Sequence, residues 1–318
     1  MYQNKRVLLI AGGGTLGTYT ALELLRLGAS VDVICPEEKV SNDARLCYYR
    51  GLATDALLSE VFAKHHYDGI VNFIHYPDEK EYFRVHDFLM EHTDHLVFLS
   101  SYRVYANEQH PVTEDAPRLY DVVKDDPAFL ETEDYAVPKS KCEDFLREKH
   151  AGEHWTIVRP VISFSSWRLD LLLYSASEVL EYADRKEAMR LPLCVKDFSA
   201  GIDWAGNSGK LIANLLFKEH TFGQTYTIYS GHGMTWSEVA DAYSEQTGLC
   251  VEWVSTEEFY KALPRITPDT YIWKYDRAFN RDIDASRVLA ATGLTAADFA
   301  TVSEGIAAEL KNKNWKKR

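Results

Sequence analysis

The chain has 318 residues, of which 46% are hydrophobic, enough for one large α/β domain or for a domain with a smaller addition. Its formal net charge of −13 argues against nucleic acid as a partner, and no apolar run approaches the roughly 20 residues that span a bilayer. The five cysteines lack metal-ligand spacing, which is typical of reduced thiols in a cytoplasmic protein, and the first strand begins too early for a signal peptide.

Strands and helices are predicted to alternate along the first half of the chain. The strands are short apolar runs, and the helices have apolar residues three or four apart. Strands are predicted at 6–11, 30–35, 69–75, 95–100 and 155–159, and helices at 18–27, 55–64, 82–91 and 139–150. This alternation is typical of an α/β protein with a Rossmann-type, doubly wound parallel sheet, in which the loops after the strands line one edge.

The pattern is less regular after Pro160. Thr235 and Glu238 form a capping box that opens one helix, and Gly293 closes another. Helices are predicted at 168–185, 207–217, 235–247 and within 281–292, and strands at 225–229 and 251–254. We expect this part to be a small C-terminal cap on the sheet rather than an independent domain.

A glycine-rich turn joins the first predicted strand to the first predicted helix. Small residues at such a turn let the backbone approach a dinucleotide pyrophosphate, which the helix N-terminus attracts. A purely steric turn is the alternative, but the position of the turn favours a cofactor site. The residues assigned to it are Ala11, Gly12, Gly14, Thr15, Leu16 and Gly17.

The end of the second strand does not decide between NAD and NADP. An acidic residue there would bind the ribose of NAD, but Cys35 and Pro36 hold that place, with Glu37 following. Lys39 or Arg45 could reach the 2′-phosphate of NADP if the loop folds back. Glu37 and Glu38 favour NAD, and NADP stays open.

Ser101, Tyr135 and Lys139 are the candidate catalytic residues. Tyr135 and Lys139 are four apart, which places them on one helix face, and the ammonium of the lysine would stabilise the phenolate. Tyrosine could then exchange a hydroxyl proton with the substrate while hydride moves to or from nicotinamide. Chance spacing is the alternative. Pro138 requires the helix to begin close to Tyr135 or to bend there.

The sequence resembles the extended short-chain dehydrogenase/reductases, in particular the NAD-dependent epimerase/dehydratase family that includes UDP-glucose 4-epimerase. The resemblance covers nearly the whole chain. It departs from the family at Ala11, which replaces the first glycine, and at Leu52, which replaces an aspartate near adenine. The matching segments are 11–17, 100–105, 111–115, 135–139, 156–160, 203–206 and 284–287.

The resemblance implies roles for individual residues. Ser101, Tyr135 and Lys139 would be catalytic, and Tyr102 and Arg103 replace the acidic pair that dehydratases need. Further cofactor contacts are assigned to Cys35, Ile74, His75, Arg159 and Pro160, and substrate contacts to Tyr102, Arg103, Arg277, Asn280 and Arg281. Surface salt bridges are the alternative for Arg277, Asn280 and Arg281. No metal is expected.

The resemblance implies an NAD(P)-dependent nucleotide-sugar epimerase, with a carbonyl reductase or a non-catalytic dinucleotide sensor or RNA-binding protein as alternatives. Residues 1–165, with a returning segment at about 197–230, would form the NAD(P)-binding domain. Residues 166–196 and 231–318 would mainly form the substrate-binding cap. Family members commonly pair through helices flanking the sheet, so a homodimer is expected through 82–91 and 139–150.

Overall fold

The computed structural model describes residues 2–316, which form eleven β-strands and twelve α-helices. The strands are β1 Arg6–Ile10, β2 Ser30–Cys35, β3 Leu46–Arg50, β4 Gly69–Asn72, β5 Leu96–Leu99, β6 Trp155–Pro160, β7 Ile162–Phe164, β8 Ala188–Pro192, β9 Ile202–Trp204, β10 Gln224–Ile228 and β11 Cys250–Val254. The α-helices are α1 Thr15–Leu27, α2 Asp55–Phe62, α3 Glu79–Met90, α4 Leu119–Val122, α5 Pro127–Thr132, α6 Ala136–Lys149, α7 Ala176–Arg185, α8 Ala205–Leu215, α9 Trp236–Thr247, α10 Thr256–Ala262, α11 Ser286–Thr292 and α12 Val302–Asn312.

Seven parallel strands form the central sheet in the order β10, β6, β5, β4, β1, β2, β3. The strand order therefore reverses at β1, and the carboxyl ends of β1 and β4 border a crevice in which doubly wound sheets bind ligands. This confirms the predicted Rossmann-type sheet. Two further pairs of parallel strands, β7 with β9 and β8 with β11, lie outside it.

The sheet is buried on both faces because its strands alternate between two hydrophobic cores. In β1, Val7 and Leu9 belong to the core on one face, and Leu8 and Ile10 to the core on the other. The first core also takes in α1, α8 and the C-terminal cap, while the second lies under α2, α3 and α6. None of the described helices has both the length and the apolar composition of a membrane span.

The edge strand β3 and the start of α7 are among the segments that differ from the sequence-based expectation. The strand β3 was not predicted, because it is an edge strand with no buried residue and lacks the apolar run of its neighbours. The helix predicted at 168–185 is wrong in its first half: α7 begins at Ala176, where Ser175 and Glu178 form a capping box. Residues 168–175 instead make a tight loop, in which Leu172 has a positive φ of 55°.

Glu309 of α12 joins three separate parts of the fold. Its side chain is buried and accepts hydrogen bonds from the hydroxyl of Tyr19 in α1, from the indole N–H of Trp204 at 2.6 Å and from the backbone N–H of Ser166 at 2.7 Å. The last helix therefore holds the helix after the glycine turn against the loop after β7.

His95, at the start of β5, is buried as a neutral imidazole. Thr156 donates its hydroxyl proton to the carbonyl of Thr221, so it must accept from Nε2–H of His95, at 2.8 Å. Nδ1 in turn accepts from the N–H of Phe217, at 3.2 Å. A second proton on the ring would face that N–H, and burial, with a smaller contribution from His154, lowers the pKa of His95 to about 3.

This buried histidine should make the fold less stable in mild acid. Because the folded pKa lies below the unfolded value of 6.5, the unfolded chain binds the extra proton first, so stability falls as pH drops below 6.5. Between pH 6.5 and 5 the loss from this group is about 2 kcal/mol. Urea unfolding at both pH values should show a flatter dependence in His95→Gln than in the wild type. An unchanged dependence in His95→Gln, matching that of the exposed-histidine control His66→Gln, would contradict this account.

Candidate active site

Two adjoining cavities lie at the carboxyl ends of the central strands. The first, of about 380 Å³, is bordered by the glycine turn after β1 and the loops after β4, β5 and β6. The second, of about 650 Å³, lies between the ends of β1, β2 and β4, and shares Ala11 and Phe73 with the first. The two cavities together form a long cleft that crosses the point where the strand order reverses.

The glycine turn has the shape of a backbone cradle. Gly14 precedes α1 with φ of −83°, and a Cβ placed there would have no atom within 4 Å. Gly14 makes no side-chain cap, so the N–H groups of the first turn of α1 remain available to a ligand. Gly12 and Gly17 act differently: a Cβ on Gly17 would overlap the backbone of Gly12, so both are needed for close packing of the turn.

The loop after β2 folds back over this turn. The ammonium of Lys39 donates to the carbonyl of Gly13, and a carboxylate oxygen of Glu37 would lie 2.7 Å from a Cβ on Gly13. Arg45 is engaged elsewhere, with Asp43 and with the carbonyl of Leu25 at 2.8 Å. Of the two basic residues considered for a 2′-phosphate, only Lys39 therefore reaches the turn.

Ser101 and Tyr135 line the same cavity, and Lys139 lies behind them. Tyr135 is the N-cap of α6, where the carboxylate of Glu133 accepts its N–H at 3.0 Å, so the helix begins as Pro138 requires. The ammonium of Lys139 lies 5.3 Å from the centre of the Tyr135 ring and donates to the carbonyl of Leu99 at 2.6 Å. Burial lowers the pKa of Lys139 below its ordinary value, against the opposing effect of Tyr135.

The ring of Tyr135 also contacts two side chains that the spacing of Tyr135 and Lys139 does not reveal. The imidazole of His75 is 4.9 Å from it, centre to centre, and the guanidinium of Arg103 is 4.4 Å from the ring centre. Burial, and then the charge of Lys139, lower the pKa of His75, so its ring is neutral at pH 7. Nδ1 of His75 is buried and has no hydrogen-bond partner among the described residues.

Positive charge dominates the rest of the first cavity. Within the described part of the chain its lining includes Arg103, Arg168 and Arg277 and no aspartate or glutamate. Arg168 was missed in the sequence because its segment resembles a helix, whereas it lies on the loop after β7. Such a lining suits a ligand with two or more phosphate oxygens, since arginine binds them with paired hydrogen bonds.

A buried carboxylate pairs with two of these arginines, Arg103 and Arg277, and with Arg281. Asp276, within a π-helical turn at Trp273–Arg277, accepts from the hydroxyl of Tyr102 at 2.7 Å and pairs with Arg277 and, at 3.3 Å, with Arg281. Burial opposes its ionisation, but the charges of Arg277, Arg281 and Arg103 outweigh burial and lower the pKa of Asp276. Arg103 also pairs with the buried carboxylate of Glu133, at 3.4 Å, so two carboxylates face three arginines and one positive charge remains in excess.

Most of the candidate residues line one of the two cavities. Ala11, Gly14, Thr15, Leu16, Gly17, Pro160, Ser101, Tyr102, Arg103, Tyr135 and Arg277 line the first cavity, and Ala11, Cys35, Ile74 and His75 line the second.

Besides Gly12 and Lys139, three candidates line neither cavity. Arg159 forms a buried ion pair with Glu143 and lies over the ring of Tyr105, Asn280 accepts from the N–H of Ser199, and Arg281 donates to the carbonyl of Tyr105. The expectation that the side chain of Arg159 faces the cofactor edge is therefore corrected: it is directed to α6.

The chain shares its fold, over nearly its whole length, with solved structures of epimerases. Among solved structures, similar ones include UDP-glucose 4-epimerase from Bifidobacterium longum in complex with NAD+ and UDP, at TM-score 0.69 and 21% identity, covering 98% of this chain and 99% of that one. The epimerase Mth375 from Methanothermobacter thermautotrophicus has TM-score 0.71 and 13% identity, with 98% and 94% coverage.

A third similar structure is UDP-glucose-4-epimerase from Stenotrophomonas maltophila, solved with bound NAD and formylated UDP-arabinopyranose. Its TM-score is 0.65 and its identity 15%, covering 96% of both chains. At these identities the likeness shows a common fold. No family model matches the sequence, and no curated protein matches it either.

Proposed function

We propose that this protein is an NAD-dependent epimerase of a nucleotide-linked sugar. The observation that carries the proposal is that Ser101, Tyr135 and the glycine turn line one cavity, with Lys139 beside Tyr135 and three arginines in the same lining. The similar structures solved with NAD and with UDP or a UDP-sugar support it.

The long cleft fits a dinucleotide. The open space at Gly14 and the unpaired N–H groups of α1 would bind the pyrophosphate, and the second cavity would take the adenosine. Glu37, folded against Gly13, can accept hydrogen bonds from ribose hydroxyls, which favours NAD; Lys39 is what supports NADP. NAD, when bound, supplies a hydride acceptor for the sugar carbon.

The described residues assign the proton chemistry. Tyr135 would take the proton from the reacting hydroxyl and later return it, while Lys139 holds a positive charge that stabilises negative charge on the phenol oxygen. Ser101, buried beside the cavity, would donate to the substrate oxygen. Arg103, Arg168 and Arg277 would bind the diphosphate.

Incubation with UDP-, GDP- and dTDP-sugars and catalytic NAD tests this function. Because an epimerase returns hydride to its own substrate, we expect a new epimer by NMR with no net change in NADH absorbance. Tyr135→Phe serves as the inactive control. In a parallel incubation with stoichiometric NAD(P)H, consumption of the reduced cofactor without an epimer would establish the reductase alternative. If no sugar in the panel is converted but the protein binds a dinucleotide tightly, a sensor would be favoured.

The homodimer through α3 and α6 stays a prediction.

A further inference from the structure

A cluster of metal-ligating side chains lies where the C-terminal ends of α3 and α6 meet. It contains His86 and Asp87 of α3, His150 at the C-cap of α6, and Glu153 in the following loop. The helix α6 rises about 1.5 Å per residue, so His150 lies roughly 20 Å from Tyr135. The cluster is therefore separate from the cleft and takes no part in the proposed reaction.

The carboxylate of Glu153 bridges the two imidazoles, and Asp87 lies beside His150. The carboxylate of Glu153 places one oxygen 3.0 Å from Nε2 of His86 and the other 2.9 Å from Nδ1 of His150. A carboxylate oxygen of Asp87 lies 3.9 Å from that same Nδ1. Ligand atoms of His86, Asp87 and His150 all lie within 4.8 Å of one another. Ligands of a tetrahedral zinc ion, with bonds of about 2.0–2.2 Å, are separated by about 3.3–3.6 Å, which this cluster approaches.

The surroundings orient the two imidazoles for binding. His86 is fully buried, and its Nδ1 lies 3.1 Å from the hydroxyl of Tyr82, which leaves Nε2 directed to the cluster. A hydrogen bond at the second ring nitrogen is the usual arrangement for a metal-binding histidine. The ring of Phe145 contacts both imidazoles, with centre distances of 5.6 Å to His86 and 4.5 Å to His150. The side chain of His150 remains partly exposed, which gives an ion access.

We propose that His86, His150, Glu153 and Asp87 form a binding site for a divalent transition-metal ion, with Zn²⁺ as the preferred ion. Two imidazoles and two carboxylates are a donor set for zinc and its neighbours, whereas Mg²⁺ and Ca²⁺ prefer oxygen ligands alone. Since the site joins two helices, a bound ion stabilises the folded protein. The alternative is a hydrogen-bonded pair of histidines bridged by Glu153.

Zinc titration of the chelator-treated, full-length protein tests the site. Calorimetry should show one equivalent of Zn²⁺ bound, and Co²⁺ in its place should give the visible absorption bands of a four-coordinate ion. His150→Ala should weaken binding at least 100-fold, and Glu153→Gln at least 10-fold. Zn²⁺ should raise the melting temperature of the wild type by several degrees and leave that of His150→Ala unchanged. Both variants alter partly exposed side chains, and circular dichroism checks their fold.

The matched control is His66→Ala. His66 also pairs with a carboxylate, Asp94, at 2.9 Å, but this exposed pair lies outside the cluster. We expect its zinc affinity and its zinc-induced stabilisation to equal those of the wild type. Failure of the wild type to bind an equivalent of Zn²⁺, or equal affinity in His150→Ala, would overturn the proposal and leave a hydrogen-bonded network. Neither result bears on the epimerase proposal.

Discussion

Tyr135→Phe is expected to lower turnover at least 100-fold and to leave the fold intact. The substitution removes only the phenol oxygen, which general acid–base catalysis needs, and 100-fold corresponds to about 2.7 kcal/mol of transition-state stabilisation. The contacts of the ring with His75 and Arg103 do not involve that oxygen, so they persist in phenylalanine. Turnover is measured by NMR on the sugar nucleotide that the wild type converts.

Tyr271→Phe provides the matched control for this substitution. It removes another tyrosine hydroxyl, one that is hydrogen-bonded to Thr132 at 3.0 Å in the cap and does not line the first cavity. Its turnover should equal that of the wild type, and NAD affinity by calorimetry should be unchanged in both variants. Near-full turnover in Tyr135→Phe would remove Tyr135 from the mechanism while leaving the cofactor site untouched.

Gly14→Val is expected to abolish dinucleotide binding, with a loss of at least 100-fold in affinity. The backbone at Gly14 has φ −83° and ψ −165°, which any residue adopts, and its Cβ would meet nothing within 4 Å. The valine side chain therefore fits the folded protein but occupies the space that the pyrophosphate needs. Gly17 could not serve for this test, because a Cβ there overlaps Gly12 and would disturb the turn itself.

Calorimetry with NAD and NADP measures the effect, and thermal unfolding checks that the variant folds. Leu22→Val is the control, since Leu22 lies on the same helix and is 53% exposed. We expect the control to bind both dinucleotides as the wild type does. If Gly14→Val bound both dinucleotides with wild-type affinity, the glycine turn would have only a structural role in connecting β1 to α1.

The sequence predicts well those parts of the fold that depend on local pattern. Fully buried strands such as β1 are continuous apolar runs, and the capping box at Thr235 fixes the start of α9. The edge strand β3 and the loop 168–175 lack such signals, because their conformation depends on what they pack against. A capping box at Ser175 and Glu178 was present and would have placed the start of α7.

In the candidate site, too, the sequence predicts the residues that have a local pattern and misses those that depend on distant contacts. Ser101, Tyr135 and Lys139 were found because their spacing reflects a chemical requirement. Asp276 was not predicted as a site residue, because its partner Tyr102 is 174 residues away and nothing in the sequence near Asp276 indicates that it is buried. The aromatic residue next to it, Tyr275, packs against Phe129 of α5, at 4.2 Å between ring centres. The cluster of metal-ligating side chains was not predicted for the same reason, because His86 and Glu153 are 67 residues apart in the sequence.

The carboxylate of Glu309 gives the cleft an unusual mechanical property. It is bound at once by Tyr19, on the helix that would hold the dinucleotide, and by Ser166, next to Arg168 on the loop that would hold the diphosphate of the sugar nucleotide. A displacement of either element acts on the carboxylate to which the other element is also hydrogen-bonded. If the bound cofactor restricts the motion of α1, Glu309 restricts the motion of the loop that would bind the sugar nucleotide. Such a coupling between two binding sites is necessarily reciprocal. Cofactor and sugar nucleotide would accordingly strengthen each other's binding through a helix that touches neither.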